Sequence, residues 1–190
     1  MNPHFIFNSL GAVRIASRID PELAYDSIYD FSRYLRAVFR SLESRKNVSF
    51  KEEVNDVRSF INLEKLRFGD RMEFRADIRE ESFMLPPLSI LPLVENALVH
   101  GLQKGDRRGT ITLRSFRIPS SYVVQVEDDG TGFDARAYEG LPGDDGADAG
   151  SLLNVRYRME TMVNGRMDIQ SFDGIGTVVT LQIPVSDRKA

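Results

Sequence analysis

His4 and Asn8 stand four positions apart in the segment Asn2-Pro3-His4-Phe5-Ile6-Phe7-Asn8-Ser9-Leu10, a spacing that sets an imidazole and an amide on one face of a helix. Asn2 suits a helix N-cap and Pro3 the first helical position, so His4 falls in the first turn with Asn8 one turn above it. An imidazole whose ordinary pKa is ~6.5 serves as nucleophile, ligand or proton carrier near neutral pH. Phe5, Ile6 and Phe7 supply apolar surface beside it, and the chain holds one other histidine, His100.

A second group lies in Pro92-Leu93-Val94-Glu95-Asn96-Ala97-Leu98-Val99-His100-Gly101. A helix over about 89 to 103 places Ser89, Asn96, His100 and Gln103 on one polar stripe of an otherwise apolar cylinder. An amide oxygen facing a cleft suits a hard cation such as Mg²⁺ that bridges to phosphates. The competing reading is an amide satisfied by capping a neighbouring loop. In Val124-Gln125-Val126-Glu127-Asp128-Asp129-Gly130-Thr131-Gly132-Phe133, a strand runs into an acidic, glycine-spaced turn. A carboxylate at that strand end accepts a hydrogen bond from an exocyclic amine, as on adenine, while Gly130 and Gly132 leave room for the ring. An EF-hand is a weaker reading, because Gly130, Gly132 and Phe133 stand where it wants oxygen ligands at the third and fifth positions and glycine at the sixth. A dinucleotide fingerprint is not followed by its prompt helix, and no P-loop run occurs.

Positions 130–150 hold six glycines and five acidic residues, with Arg136 the sole basic one. This length without apolar periodicity marks a lid or a disordered loop. It ends at Ser151-Leu152-Leu153-Asn154, where the N–H groups of a helix start suit a phosphate. Arg156 and Arg158 follow, either adding positive charge there or lying solvated on the helix. Gly174-Ile175-Gly176-Thr177 forms a tight hairpin into a final strand.

Helices must position the first group. Leu23, Ile28, Phe31, Leu35, Val38 and Leu42 recur at helical spacing, as do Val54, Val57, Ile61 and Leu66, predicting helices near 4–17, 21–43 and 50–68. Phe50, Phe60 and Phe68 widen the last stripe, to be covered either by a dimeric helical bundle or by the chain's own domain. At Gly69-Asp70 the pattern changes to the alternation of Met72, Phe74, Ala76 and Ile78, a strand signal. Strands near 109–118, 121–128, 166–171 and 175–184 and a helix near 152–163 complete a β-α-β-β-loop-α-β-β order. Two adjacent strand pairs call for antiparallel neighbours, hence an α/β sandwich with a mixed sheet.

With 42% hydrophobic and 28% charged residues and a net charge of -3, the composition is that of a globular chain without the basic stripe nucleic acid demands. Zero cysteines exclude disulfides and thiolate metal sites. The most apolar window, 83–94, is broken by Pro86, Pro87, Ser89 and Pro92 and falls well short of the ~20 residues that span a bilayer, so no membrane contact is expected within this chain.

Taken in this order, the four motifs resemble a sensor histidine kinase of the LytS type over nearly the whole chain. Asn2 to Leu10 is similar to its phosphoacceptor box, Pro92 to Gly101 to its N-box, Asp128 to Gly132 to its first glycine box and Gly174 to Thr177 to its terminal element. The resemblance implies an α+β protein: a helical dimerisation and histidine phosphotransfer region over 1–69, then a GHKL-like catalytic ATP-binding domain over 70–190 with a mixed, mainly antiparallel sheet. It implies His4 as phosphoacceptor, Asn96 as Mg²⁺ ligand and Asp128 as adenine contact, with His100, Gly130, Gly132, Asn154, Arg158, Gly176 and Thr177 also at the ATP. A response regulator receiver domain and a second copy of the chain are the implied partners, and the cytoplasmic portion of a membrane receptor, with its sensor upstream, the implied setting. Phe5 stands where many such kinases carry an acid, leaving Glu95 as a candidate base beside a tuning or solvent-exposed role; Asn8 either orients a water or holds the imidazole. Ala149 and Ser151 replace two family glycines, where a side chain obstructs backbone donors if positive φ is required. Gly11 replaces an asparagine and costs the first helix ~1 kcal/mol. A catalytically impaired regulatory dimer and a GHKL protein-serine kinase or ATPase are the alternative functions.

Overall fold

The computed structural model describes residues 3–43, 46–102, 108–134 and 147–185. Three helices open it: α1 (Pro3–Ile19), α2 (Pro21–Glu43) and α3 (Phe50–Phe68), each within two residues of its expected span. Asp20 starts α2 by accepting the Leu23 N–H at 3.0 Å, with Pro21 preset for the first turn. A capping box starts α3: Ser49 Oγ accepts from the Glu52 N–H and the Glu52 carboxylate accepts from the Ser49 N–H, both at 3.2 Å. Gly69 ends it at φ +53°, in a region open mainly to glycine. Asn2, the expected cap of α1, lies outside the described residues.

Two short strands, β1 (Val48–Ser49) and β3 (Met84–Leu85), pair antiparallel with each other. Two residues carry no periodicity, so the sequence does not announce them. The remaining strands, β2 (Met72–Ile78), β4 (Gly109–Ile118), β5 (Ser121–Asp128), β6 (Arg166–Phe172) and β7 (Gly176–Pro184), form one sheet in the order β2-β4-β5-β7-β6. The β2–β4 pair is parallel and the others antiparallel, giving the mixed, mainly antiparallel sheet expected of this α+β chain. One sheet face is packed with Ile111, Leu113, Val124, Val126, Val179 and Leu181, all in the core. Its other face carries Gln125, Asp168, Gln170 and Thr180.

The helix expected over 89–103 is corrected. Only α4 (Leu91–Asn96) is α-helical, and a π-helical turn, Ala97–Leu102, continues it. Leu88 sits at φ +52° and Pro92 lies in the first turn, which delays the start past Ser89. The expected stripe of Ser89, Asn96, His100 and Gln103 is broken at its first member, which precedes α4. Ser89 is buried and donates its hydroxyl to the Pro86 carbonyl at 2.7 Å; Gln103 is outside the described residues. The π turn rests on β4, β5 and β7, and α5 (Ala147–Val163) on β6 and β7.

A single apolar core runs from the sheet through Leu91, Leu98 and Met159 into Val57, Phe60, Phe5 and Tyr34 of the helical part. Phe60 packs on Phe5 with centroids 4.9 Å apart, and Phe50 stacks on Phe83 at 4.7 Å. Burying each such ring contributes about 1.5–3 kcal/mol. Of the two readings of the α3 stripe, the chain's own domain therefore covers Phe50 and Phe60, while Phe68 stays partly buried beneath Arg67. Uncovered apolar side chains lie instead on α1 and α2, among them Phe7, Ile19, Tyr25, Ile28 and Leu42.

Candidate functional site

His4 is exposed in the first turn of α1, while its neighbour Phe5 is 4% exposed and anchors the turn against Tyr34 at 4.5 Å. Asn8 Nδ2 lies 3.0 Å from His4 Nδ1 and 3.2 Å from Nε2. An atom nearly equidistant from both ring nitrogens must sit off the ring plane, because in the plane it would overlap the carbon between them. Asn8 Nδ2 thus contacts the imidazole from outside the plane that holds the ring nitrogens' lone pairs.

His4 and Glu95 line one small cavity together with Phe5, Glu64 and Leu98. Phe60, Arg67 and Val99 complete its lining, and Tyr34, fully buried, donates its hydroxyl to Glu95 Oε1 at 3.3 Å. Burial, reinforced by the Glu95 carboxylate, pushes the Tyr34 phenol well above its ordinary pKa, so it remains a donor that aims Glu95. Tyr34 escapes the sequence reading because an aromatic in a helical apolar stripe looks like core, which it also is.

Asn96, next to Glu95, is 8% exposed, and among the described residues its side-chain amide has no hydrogen-bond partner. A buried amide satisfied by a neighbouring loop would show such a partner; Asn96 instead has acceptor and donor capacity to spare. The π turn that follows it crosses the sheet over β5, the strand ending in Asp128.

Asp128 is 6% exposed and accepts from the Gly130 N–H at 3.0 Å. Burial pushes its pKa up to about 6, against the opposing pull of hydrogen bonds from Gly130 and Thr177, leaving an ionised acceptor at neutral pH. In register, Ile111, Asp128, Thr177 and Ser171 form a row across β4, β5, β7 and β6. Thr177 Oγ1 lies 2.9 Å from Ser171 Oγ, which accepts from the Phe133 N–H at 2.9 Å. Two glycines there are required by close backbone packing. A Cβ on Gly132 (φ +67°) would meet the Phe172 carbonyl oxygen at 2.2 Å, and one on Gly176 (φ +133°) the Asp128 carbonyl oxygen at 2.1 Å. Gly176→Ala therefore lowers stability by roughly 2 kcal/mol or more, read as a drop in the urea midpoint, and it displaces Asp128 with it.

The structure thus joins Asp128, Gly130, Gly132, Gly176 and Thr177 at one sheet end, while His4 meets Asn8 on α1 and shares a cavity with Glu95, the neighbour of Asn96. Asn154 is exposed on α5. Arg158 is turned inward and donates to the Leu88 carbonyl oxygen at 2.7 Å. For His100, and for Ala149 and Ser151, only the backbone is described, and 135–146 lies outside the described residues. Glu53, whose carboxylate accepts from Leu88, Ser89 and Ile90, is a further residue the sequence reading missed. Among the described residues no group of three or more His, Asp or Glu side chains could hold a metal by themselves.

Residues 1–72 match the histidine kinase family, and residues 89–187 the histidine kinase-, DNA gyrase B-, and HSP90-like ATPase family. Sensor histidine kinase YpdA of Escherichia coli (strain K12) is 34% identical over 97% of this chain and 33% of its own length. YwpD of Bacillus subtilis (strain 168) is 32% identical over 98% of this chain and 68% of its own. Sensor protein LytS of Staphylococcus saprophyticus is 28% identical over 97% and 32%. The chain thus spans about a third of the length of the sensor kinases it matches. Among solved structures, the histidine kinase domain of the Erythrobacter litoralis EL346 blue-light activated kinase superposes with a TM-score of 0.57 at 18% identity, covering 93% of this chain and 84% of that one. Histidine kinase ThkA, solved in complex with response regulator protein TrrA, superposes with a TM-score of 0.57 at 14% identity, covering 93% and 53%.

Proposed function

Because this chain belongs to the LytS-type sensor histidine kinases and carries their GHKL-type ATP-binding kinase domain, we propose that it transfers the γ-phosphoryl group of ATP to His4 and passes it on to an aspartate of a response regulator receiver domain. The observation that carries the reading is the shared cavity of His4 and Glu95, which brings a nucleophile and a base within one chain to the residue beside Asn96. An unprotonated ring nitrogen of His4 attacks the γ-phosphorus, the bond to the β–γ bridging oxygen breaks, and ADP leaves. Glu95 takes the proton from the other ring nitrogen, while Tyr34 holds the carboxylate in place. Asp128 accepts from the adenine amine, and Asn96 would hold a Mg²⁺ whose charge offsets that of the phosphates. Incubating the chain with Mg²⁺ and γ-labelled ATP is expected to give an acid-labile, alkali-stable label that a receiver domain then removes. Label that survives acid overturns the histidine assignment in favour of a hydroxyl acceptor.

The division into 1–69 and 70–190 is a division of labour, with α1 and α2 presenting His4 and the sheet domain presenting nucleotide. A homodimer follows from the apolar side chains left uncovered on α1 and α2: Phe7, Ile15 and Ile19 on one, Tyr25, Ile28, Phe39 and Leu42 on the other, with Phe7 74% and Leu42 78% exposed. Ile28, Leu35 and Leu42 recur every seven residues, with Phe39 one turn after Leu35, the heptad spacing of a helix-bundle seam. Ile28→Glu combined with Phe39→Glu is expected to halve the mass seen by light scattering and leave the sheet domain folded; an unchanged mass refutes this interface. Use of ATP places the reaction on the cytoplasmic side of the receptor that bears it. No helix among the described residues is long and apolar enough to cross a membrane.

A further inference from the structure

The turn before α4 is held by charges from two distant helices. Leu88 adopts φ +52°, a left-handed conformation that a branched side chain disfavours and that persists only where the surroundings over-determine it. Both its backbone polar groups are clamped: its N–H donates to Glu53 Oε1 at 2.7 Å, and its carbonyl accepts from Arg158 Nη2 at 2.7 Å. Glu53 Oε2 accepts the next two N–H groups as well, Ser89 at 2.9 Å and Ile90 at 3.0 Å. Ile90 is the N-cap of α4 and offers no capping side chain, and the Glu53 carboxylate, from α3, holds the three backbone N–H groups that lead into the helix.

Neither charge is a surface ornament. Glu53 is 1% exposed, and burial pushes its pKa up to about 7 despite the N–H bonds from Ile90 and Leu88. Burial likewise depresses the Arg158 guanidinium, which the Glu53 carboxylate helps to keep charged. Asp56, one turn along α3, is engaged elsewhere, by Arg33 at 3.1 Å and by Arg40. A buried charge without such an arrangement would be expelled or neutralised.

We propose that Glu53 and Arg158 are positioning residues for the nucleotide site: by gripping Leu88 from opposite sides they fix the start of α4, and so the height and rotation of Asn96 at its end. This rests on the kinase reading above and deepens it, for Arg158 then acts through the turn rather than on phosphate. The grip also makes the site depend on α3, the helix that ends the phosphotransfer region.

The test compares the unsubstituted chain with Glu53→Gln, Arg158→Met, Arg158→Lys and the Glu53→Gln/Arg158→Met pair. Thermal unfolding checks the fold, amide exchange of Leu88, Ser89 and Ile90 is followed without nucleotide, and a fluorescent ATP analogue is titrated with Mg²⁺. Expected are exchange at these three amides at least about tenfold faster in Glu53→Gln and analogue affinity about tenfold weaker in both Glu53→Gln and Arg158→Met. Arg158→Lys, which keeps a charged donor, should restore affinity, and the pair should bind no worse than its weaker single member, because both act through one turn. Faster exchange with unchanged affinity makes the clamp purely structural and overturns the proposal, as does additive loss in the pair. Absence of analogue binding in the unsubstituted chain overturns the kinase reading itself, and the proposal with it; the same titration distinguishes that failure from the others.

Discussion

His4→Gln leaves the chain folded and reduces the acid-labile phosphoryl label to background. Glutamine matches the size of the imidazole but lacks a basic ring nitrogen, so no N–P bond forms and the loss is complete rather than graded. Stability should hold within about 0.5 kcal/mol, because His4 is exposed and the anchoring of its turn belongs to Phe5. Unfolding curves and labelling on the same preparation separate the two effects. Residual label of unchanged acid lability in His4→Gln would mean another acceptor, and the cavity shared with Glu95 would lose its meaning. The same experiment decides against a scaffold that folds without chemistry, since such a protein gives no label before or after the substitution.

Asn96→Ala is expected to weaken Mg²⁺-dependent nucleotide binding by about a hundredfold or more, by analogy with the penalties for disturbing the support of a bound metal. The fold should survive, because the amide bonds no other group among the described residues and its removal strands no partner. Calorimetry offers an internal control: withdrawing Mg²⁺ with a chelator should bring the unsubstituted chain down to the affinity of Asn96→Ala, while the variant itself should respond little to the metal. Equal affinity for both proteins in the presence of Mg²⁺ removes Asn96 from the site. An affinity lost equally with and without metal would instead make it a direct nucleotide contact.

The two substitutions probe opposite ends of one arrangement, and the ends were legible to different degrees. His4, Asn8, Asn96, Asp128 and the glycines around it stand out because their neighbours constrain them locally. A cap, a proline and a four-residue spacing mark the first pair, and a strand running into glycines marks Asp128. Helices α1, α2 and α3 were readable to within two residues for the same reason: an apolar stripe of helical period is written along the chain. The mixed sheet followed from two adjacent strand pairs, since short connections force antiparallel neighbours.

Distance in sequence marks what could not be read. Glu53 looks like an acidic residue complementing the start of its own helix, next to Glu52, which does close a capping box. Only the fold brings positions 88–90 under its carboxylate. Tyr34 and Glu95 are 61 residues apart, and Arg158 and Leu88 are 70 apart; no window along the chain contains either pair. The break of α4 into a π turn and the covering of Phe50 by Phe83 belong to the same class. Local order here is set by backbone propensity and period, which each segment carries within itself. Burial, and with it the contacts that hold Leu88 and Glu95 in place, is a property of the space between segments, and tertiary packing alone created that space.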